Sequence, residues 1–363
     1  MADKKDWLAL SLLKNMGGAA FRRLIEHFPE TDEIFKTDPK ALRELIPNSR
    51  VEFNSMRDKT HREAVEKEIM LAKKNGVRII TWDDEEYPDA LRAIYDPPVL
   101  LFAKGALSLH NIFSVAVVGS RKCSFYGQKM AREISRALCE AGVVVTSGLA
   151  LGIDSAAHTG ALSGPGRTAA VLGCGLAGIY PAQNKKMAQM IEANGVLISE
   201  FPMTMPPLKS NFPMRNRIIS GLSRGVLVIE ARENSGALIT ANCALEEGRD
   251  IFVLPGAADS AGFRGSHSLI KDGAKFVTSA ADILDEFNIF PRDAAVFIGG
   301  ENNPTFTRTE NRIIAFLNSS PVHVDDIIEG SKLGAKETGS ILSLLEVRGC
   351  VKRLPGNHFV RIS

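Results

Sequence analysis

The segment NFPMRNRIISGLSRGVLVIEA places Arg215, Arg217 and Arg224 just ahead of an apolar run that reads as a fully buried strand. A guanidinium beside a core is costly unless an anion meets it, so the chemistry to look for here is anion binding. A helix opening near Pro213 and turning about 100° per residue puts Arg215 on the face of Ile218, Ile219 and Leu222. Arg215 then looks inward over the carboxyl edge of a sheet, while Arg217 and Arg224 turn outward. Glu200 and Glu230 are the internal carboxylates open to Arg215. The reading preferred here is an anion that arrives from outside.

Other candidates follow the ends of apolar runs. In VVGSRKCSFYG, Gly119 permits close backbone approach, Ser120 offers a hydroxyl and Arg121 a fork for phosphate. The spacing is neither a dinucleotide fingerprint nor a P-loop. In SGLALGIDSAAH, Ser147, Gly148 and Gly152 suit an anion nest before a helix N-terminus. Asp154 is placed to cap that helix. Asp154 and His158 stand at i and i+4, and with no nucleophile assigned nearby they read as loop-ordering residues. Asn184 caps a further helix, with Lys185 and Lys186 in its first turn. Cations there oppose the helix dipole unless an anion offsets them. The proline-stiffened loop FPMTMPPLKSNF carries Lys209 and Phe212, a basic and aromatic mixture that suits single-stranded nucleic acid. No catalytic triad, metal-ligand spacing or pair of acids in separate environments is visible, so neither an enzyme, a metal nor a cofactor is expected.

The elements that must position these residues divide the chain of 363 residues into regions. Residues 1–75 read as amphipathic helices. From 76 to 290, β-branched runs such as SVAVV, VVVTS, TAAVL and GVLVIE alternate with helix-length segments. Continuous apolarity in those runs implies strands covered on both faces, hence an α/β, doubly wound, mostly parallel sheet whose ligand edge is the carboxyl one. Residues 291–305 read as a linker. Residues 306–363 give three helices and a hairpin around Pro355-Gly356-Asn357, a winged-helix pattern. Composition is that of a globular protein, with 45% hydrophobic and 24% charged residues. A net charge of +2 excludes binding of nucleic acid by bulk charge and leaves only a local anion surface. Five cysteines without a CxxC pair fit a reducing cytoplasm. Neither a membrane span nor a signal peptide is expected.

Taken together, VVGSRKCSFYG, SGLALGIDSAAH, LISEFP, FPMRNRIISGLSRGVLVIEA, SGALITA, ALEEGRDIFVLPG and LIKDGAKFV resemble the DNA-processing protein A (DprA/Smf) family over about 80–285. The resemblance implies an extended Rossmann fold that binds single-stranded DNA without turnover, dimerises, and helps load the RecA recombinase during natural transformation. It puts Gly119, Ser120 and Arg121 at the DNA pocket, Lys209 on the family's loop lysine, and Arg215, Asn216 and Arg217 on its RNR segment. The chain departs from some relatives at Ala182, where they carry lysine; Lys185 and Lys186 follow downstream. Residues 1–75 resemble the family's sterile-alpha-motif-like domain, with a helix-hairpin-helix over LKNMGGAAFRRLIEHF as the alternative. For the winged helix, DNA contact through Lys352, Arg353 and Arg361 and a protein-binding role stand level.

Overall fold

The computed structural model describes residues 4–28, 30–164, 166–289, 308–317, 322–347 and 350–361. The expected linker at 291–305 lies outside them. The chain divides into two units, residues 1–288 and 289–363, each considered by itself.

Short, mostly apolar runs become nine strands among the described residues of the first unit: β1 (Arg78–Thr81), β2 (Leu100–Gly105), β3 (Ser114–Val118), β4 (Val144–Ser147), β5 (Thr168–Val171), β6 (Val196–Ser199), β7 (Gly225–Val228), β8 (Asp250–Val253) and β9 (Lys275–Phe276). They form one sheet in the order β1-β2-β6-β5-β4-β3-β7-β8-β9. β6 through β9 in that order pair in parallel, and β2 and β1 add on antiparallel beyond β6. Every residue of β3 to β7 is buried, as strands covered on both faces must be. The chain leaves β3 towards β4 on one side, and β7 adds on the other. The connections after β3 and β7 therefore diverge and open a crevice at the carboxyl edge.

The covering layers are helical. Residues 4–74 supply α1 (Lys4–Ser11), α2 (Gly18–His27), α3 (Thr31–Lys36), α4 (Pro39–Leu45) and α5 (Lys59–Lys74), and α6 (Asp89–Arg92) follows. Between and after the parallel strands come α7 (Phe125–Glu140), α8 (Ile153–Ala161), α9 (Lys185–Asn194), α10 (Asn211–Gly221), α11 (Gly236–Glu246), α12 (Arg264–Lys271) and α13 (Ala280–Glu286). Side-chain alternation sorts the sheet into two cores. Leu100, Phe102, Ala170, Leu172 and Leu197 pack with Trp7, Phe21, Leu24 and Phe53 of the N-terminal helices. Leu101, Ala103, Ala169, Val171 and Ile198 pack with Ile218, Ile219 and Ala241 on the other face. The helices of this N-terminal region thus share a core with the sheet, and Phe21 lies edge-on to both Trp7 and Trp82 at 5.3 and 5.6 Å between ring centroids.

Local chemistry sets the turns at the crevice. The Ser124 hydroxyl accepts from the Gly127 N–H at 3.0 Å and starts α7. Gly152 precedes α8 at φ +84, and a Cβ there would lie 2.3 Å from the Ser120 carbonyl oxygen. Only glycine suits both demands, so the turns after β3 and β4 interlock.

In the second unit, α14 (Arg308–Ile314), α15 (Val324–Ser331) and α16 (Ala335–Val347) accompany a three-stranded sheet of β10 (Val322–His323), β12 (His358–Arg361) and β11 (Val351–Leu354). Gly356 and Asn357 take positive φ in the hairpin turn. Ile313, Leu317, Ile327, Leu342, Leu345, Val351 and Phe359 form its own core. Among the described residues, no helix is long and apolar enough to cross a membrane.

Candidate functional site

The turn Gly119-Ser120-Arg121 leaves β3 into a cleft of about 650 Å³. Val118 to Lys122 line one wall, Arg232 to Ala237 after β7 the opposite one, and Phe212, Arg215 and Asn216 of α10 the floor side. The Ser120 hydroxyl is tied within its own turn, accepting from the Lys122 N–H at 3.2 Å and donating to the Lys122 carbonyl at 3.0 Å. That turn leaves Arg121 exposed, its guanidinium 5.2 Å from the centroid of the Phe212 ring. Tyr180 sits on the same aromatic surface, 5.8 Å from Phe212. A second cavity of about 50 Å³ lies beside the first, between Tyr180, Gly173, Gly148 and Leu151. Arg121, Phe212 and Arg215 border both.

Arg215 looks inward, as the helical phase requires, but neither Glu200 nor Glu230 meets it. Its Nη1 donates to the carbonyls of Gly148, at 2.8 Å, and Val171, and its Nε to the Asn216 side chain at 3.2 Å. Nη2 has no hydrogen-bond partner among the described residues. A Cβ on Gly148 would fall within 2.7 Å of three guanidinium atoms, so the glycine is the seat on which Arg215 lies. Burial, joined by the nearby Arg121 charge, brings Arg215 down to about 10 against the pull of Asp154, and it stays a cation at neutral pH. Asp154 is equally buried, which raises its carboxyl although Arg215 opposes the shift. Its Oδ2 accepts from the Gly148 and Ala150 N–H groups at 3.1 and 3.3 Å and ties the turn after β4 to α8.

Arg217 does not turn outward. Its Nε lies 3.0 Å from an Asp96 carboxylate oxygen and its Nη2 pairs with Glu200, both arginine and Glu200 being largely covered. Residues 87–98 pack over that side of α10, which is why a helix with one expected solvent face has almost none. Arg224 is exposed. Glu230 belongs to α7 instead, accepting from the Ser124 N–H at 2.8 Å and hydroxyl at 2.6 Å.

Several further positions do internal work. The buried Ser147 hydroxyl donates to the Val117 carbonyl at 2.7 Å. Asn184 does not cap α9 through its side chain. Its amide donates to the Leu149 carbonyl at 2.8 Å and the Ser155 hydroxyl at 2.9 Å, as a buried amide must find acceptors. Asn216 reaches the Gly236 carbonyl at 3.3 Å and joins α10 to α11. His158 faces Thr168 at 2.8 Å, not Asp154. A Cβ on Gly119 would strike Ile153 of α8. Lys185, Lys186 and Lys209 are exposed and line neither cavity.

Residues 78–288 match the family model described as DNA recombination-mediator protein A, and residues 301–357 match the DprA winged helix domain. The chain belongs to the DprA/Smf family. Protein Smf of Escherichia coli is 39% identical over 302 residues, covering 82% of this chain and 81% of that one. The DNA processing protein DprA of Streptococcus pneumoniae is 50% identical over 204 residues, covering 56% and 72%. The X-ray structure of the Streptococcus pneumoniae DprA superposes with a TM-score of 0.65 at 37% identity, covering 79% of this chain and 99% of that one. DNA processing protein A of Helicobacter pylori, solved for its single-stranded DNA binding mode, gives a TM-score of 0.53 at 30% identity, covering 58% and 96%.

On this DprA framework the structure adds residues that sequence reasoning missed: Tyr180, Lys122, Arg232, Asn234 and Arg264. Tyr180 stands in a glycine- and proline-bounded loop with no helical or strand period to aim it. Arg232 follows β7 and Arg264 opens α12 after a turn at the crevice, and those positions were the available signal.

Proposed function

We propose that this protein binds single-stranded DNA along the carboxyl edge of its sheet and does so without turnover. The strand's phosphates pass Arg121, Lys209, Lys185 and Lys186, and a base lies on the surface made by Phe212 and Tyr180. The observation that carries this reading is the Arg121 guanidinium held 5.2 Å from the Phe212 ring, one cation and one π-face presented together at a strand end. The single-stranded DNA binding of the Helicobacter pylori relative supports it. So does the chemistry of the crevice, where Asp154 is spent on backbone amides and His158 on Thr168. In the same reading the protein works as a homodimer in the cytoplasm, protects incoming DNA, and passes the coated strand to the RecA recombinase in recombination and natural transformation.

Arg121→Ala and Phe212→Ala each lower affinity for single-stranded oligonucleotides of any sequence by about tenfold. Arg121→Ala also flattens the dependence of log affinity on log salt by about 0.7. Fluorescence anisotropy at several salt concentrations measures both. An Arg121→Ala protein that binds as tightly as the parent removes the pocket assignment.

A further inference from the structure

Phe212, whose ring also meets Tyr180 in the smaller cavity, accounts for only one side of the large cleft. Lys122, Arg232 and Arg264 line its other walls, and Ser235, Gly236 and Ala237 bring the N-terminus of α11 to it. No acidic residue stands in the first turn of α11, where the Ser235 hydroxyl accepts from the Ala237 N–H at 3.3 Å, so no charge within that turn offsets the positive dipole end. Five cations line the cleft: Arg121, Lys122, Arg215, Arg232 and Arg264. Against them stand Asp154 and Glu233. None of the five makes an ion pair among the described residues, and Asp154 is already held by two amides. Arg215 is only 5% exposed, yet its Nη2 is unpartnered and it borders the cleft. A buried guanidinium with a free donor, a helix N-terminus capped only by the neutral Ser235 hydroxyl and arginines without ion pairs around one volume call for a multiply charged anion. The volume of about 650 Å³ is that of a small-molecule site and far more than inorganic phosphate needs.

We propose that this cleft is a pocket for a nucleotide bearing a phosphate monoester, with the base on the Phe212 side and the phosphate between Arg215, Arg232, Arg264 and the N-terminus of α11. The proposal rests on the single-strand reading above and deepens it. An internal diester carries one charge, whereas a terminal monoester carries close to two and has three oxygens to share among donors. The ligand is therefore the phosphorylated end of a strand or a free mononucleotide, two sources of the same chemistry.

The test uses the full chain and four probes: a linear single strand with a 5′-phosphate, the same strand with a 3′-phosphate, the same strand with hydroxyl ends, and a covalently closed single-stranded circle. Deoxynucleoside monophosphates compete in each titration. The expected result is that one phosphorylated end binds about tenfold more tightly than the hydroxyl-ended strand. In the paired variant Arg232→Ala with Arg264→Ala the ratio of phosphorylated to hydroxyl-ended affinity falls to about one. An unchanged melting temperature shows that this variant folds. If the mononucleotide competes but phosphorylated and hydroxyl-ended strands bind alike, the pocket takes free nucleotides. Equal affinity for all ends without mononucleotide competition overturns the proposal, as does a preference that survives in the paired variant. Failure of the circle to bind, with a monoester still bound, sinks the single-strand reading and leaves the pocket standing.

Discussion

His158 lies wholly buried in α8 and behaves as a neutral core residue. The Thr168 hydroxyl donates to the Val145 carbonyl, so it accepts from His158, which fixes the Nδ1–H tautomer and leaves Nε2 without a partner among the described residues. Burial first, and the Arg215 charge second, depress this imidazole to about 3. The unfolded chain, at the ordinary value of about 6.5, takes up the proton first, so this contribution to stability is present above about 6.5 and is lost as pH falls towards 3. Urea denaturation should show about 2 kcal/mol lost from this group between pH 6.5 and 5. A His158→Leu protein should lack that share of the slope; equal slopes in the two proteins contradict the assignment. Arg121 and Arg215 stood out in the sequence because a cation after a strand end or beside a core is costly without an anion, and Phe212 because it follows Lys209 on a proline-stiffened loop. Arg217 read as an outward cation and Asn184 as a helix cap, and both are instead tied internally. Their partners, Asp96 and Leu149, come from distant segments, and no local period reveals which segment will cover a given helix face.

At the scale of elements, the site is held by contacts that cross the sheet's connections. The loop that carries Lys209 leaves β6, and its Met203 N–H donates to the buried Glu68 carboxylate of α5 at 2.7 Å. Asp96 accepts from the Ala19 N–H at the start of α2 at 3.2 Å and pairs with Arg217 of α10. Arg22 of α2 caps the carbonyls of Arg92 and Ile94 just before it. The N-terminal helices therefore brace both the lysine loop and the helix that bears Arg215. Glu68→Ala leaves the Met203 N–H buried and unsatisfied, which costs about 1–3 kcal/mol. Amide hydrogen exchange across 200–210 should quicken and single-strand affinity should fall with it, while Glu68→Gln, which keeps an acceptor, should lie close to the parent. Exchange in that loop unchanged by Glu68→Ala would show that the brace does not act. The parallel strands β3 to β9 were legible because their apolar runs are continuous and close on an end signal. The brace was not, because a single carboxylate in an amphipathic helix, such as Glu68, reads as one more solvated charge.

Over the whole molecule, sequence composition suggested a break near residue 75, where a charged helix stops at Gly76. Physical packing ignores it. Trp7, Leu8, Leu10, Phe21, Leu24 and Phe53 are buried against the same sheet face as Leu100, Phe102 and Leu172, with Met203 in the same cluster. Helical periodicity shows that a segment has an apolar face but not which surface receives it. The two hydrophobic clusters that sandwich the sheet draw only on residues up to 274, and the second unit has a core of its own. A chain ending at 288 should accordingly keep the parent's cooperative melt. A chain of 76–288 should not: each large side chain uncovered forfeits about 1.5–3 kcal/mol, and several of them outweigh the 5–15 kcal/mol by which a domain is ordinarily stable. Circular dichroism melts of the two fragments, with a dye that reports exposed apolar surface, separate these outcomes. A 76–288 fragment that melts cooperatively at the temperature of the 1–288 fragment would mean that the N-terminal helices are an appendage rather than half of the core.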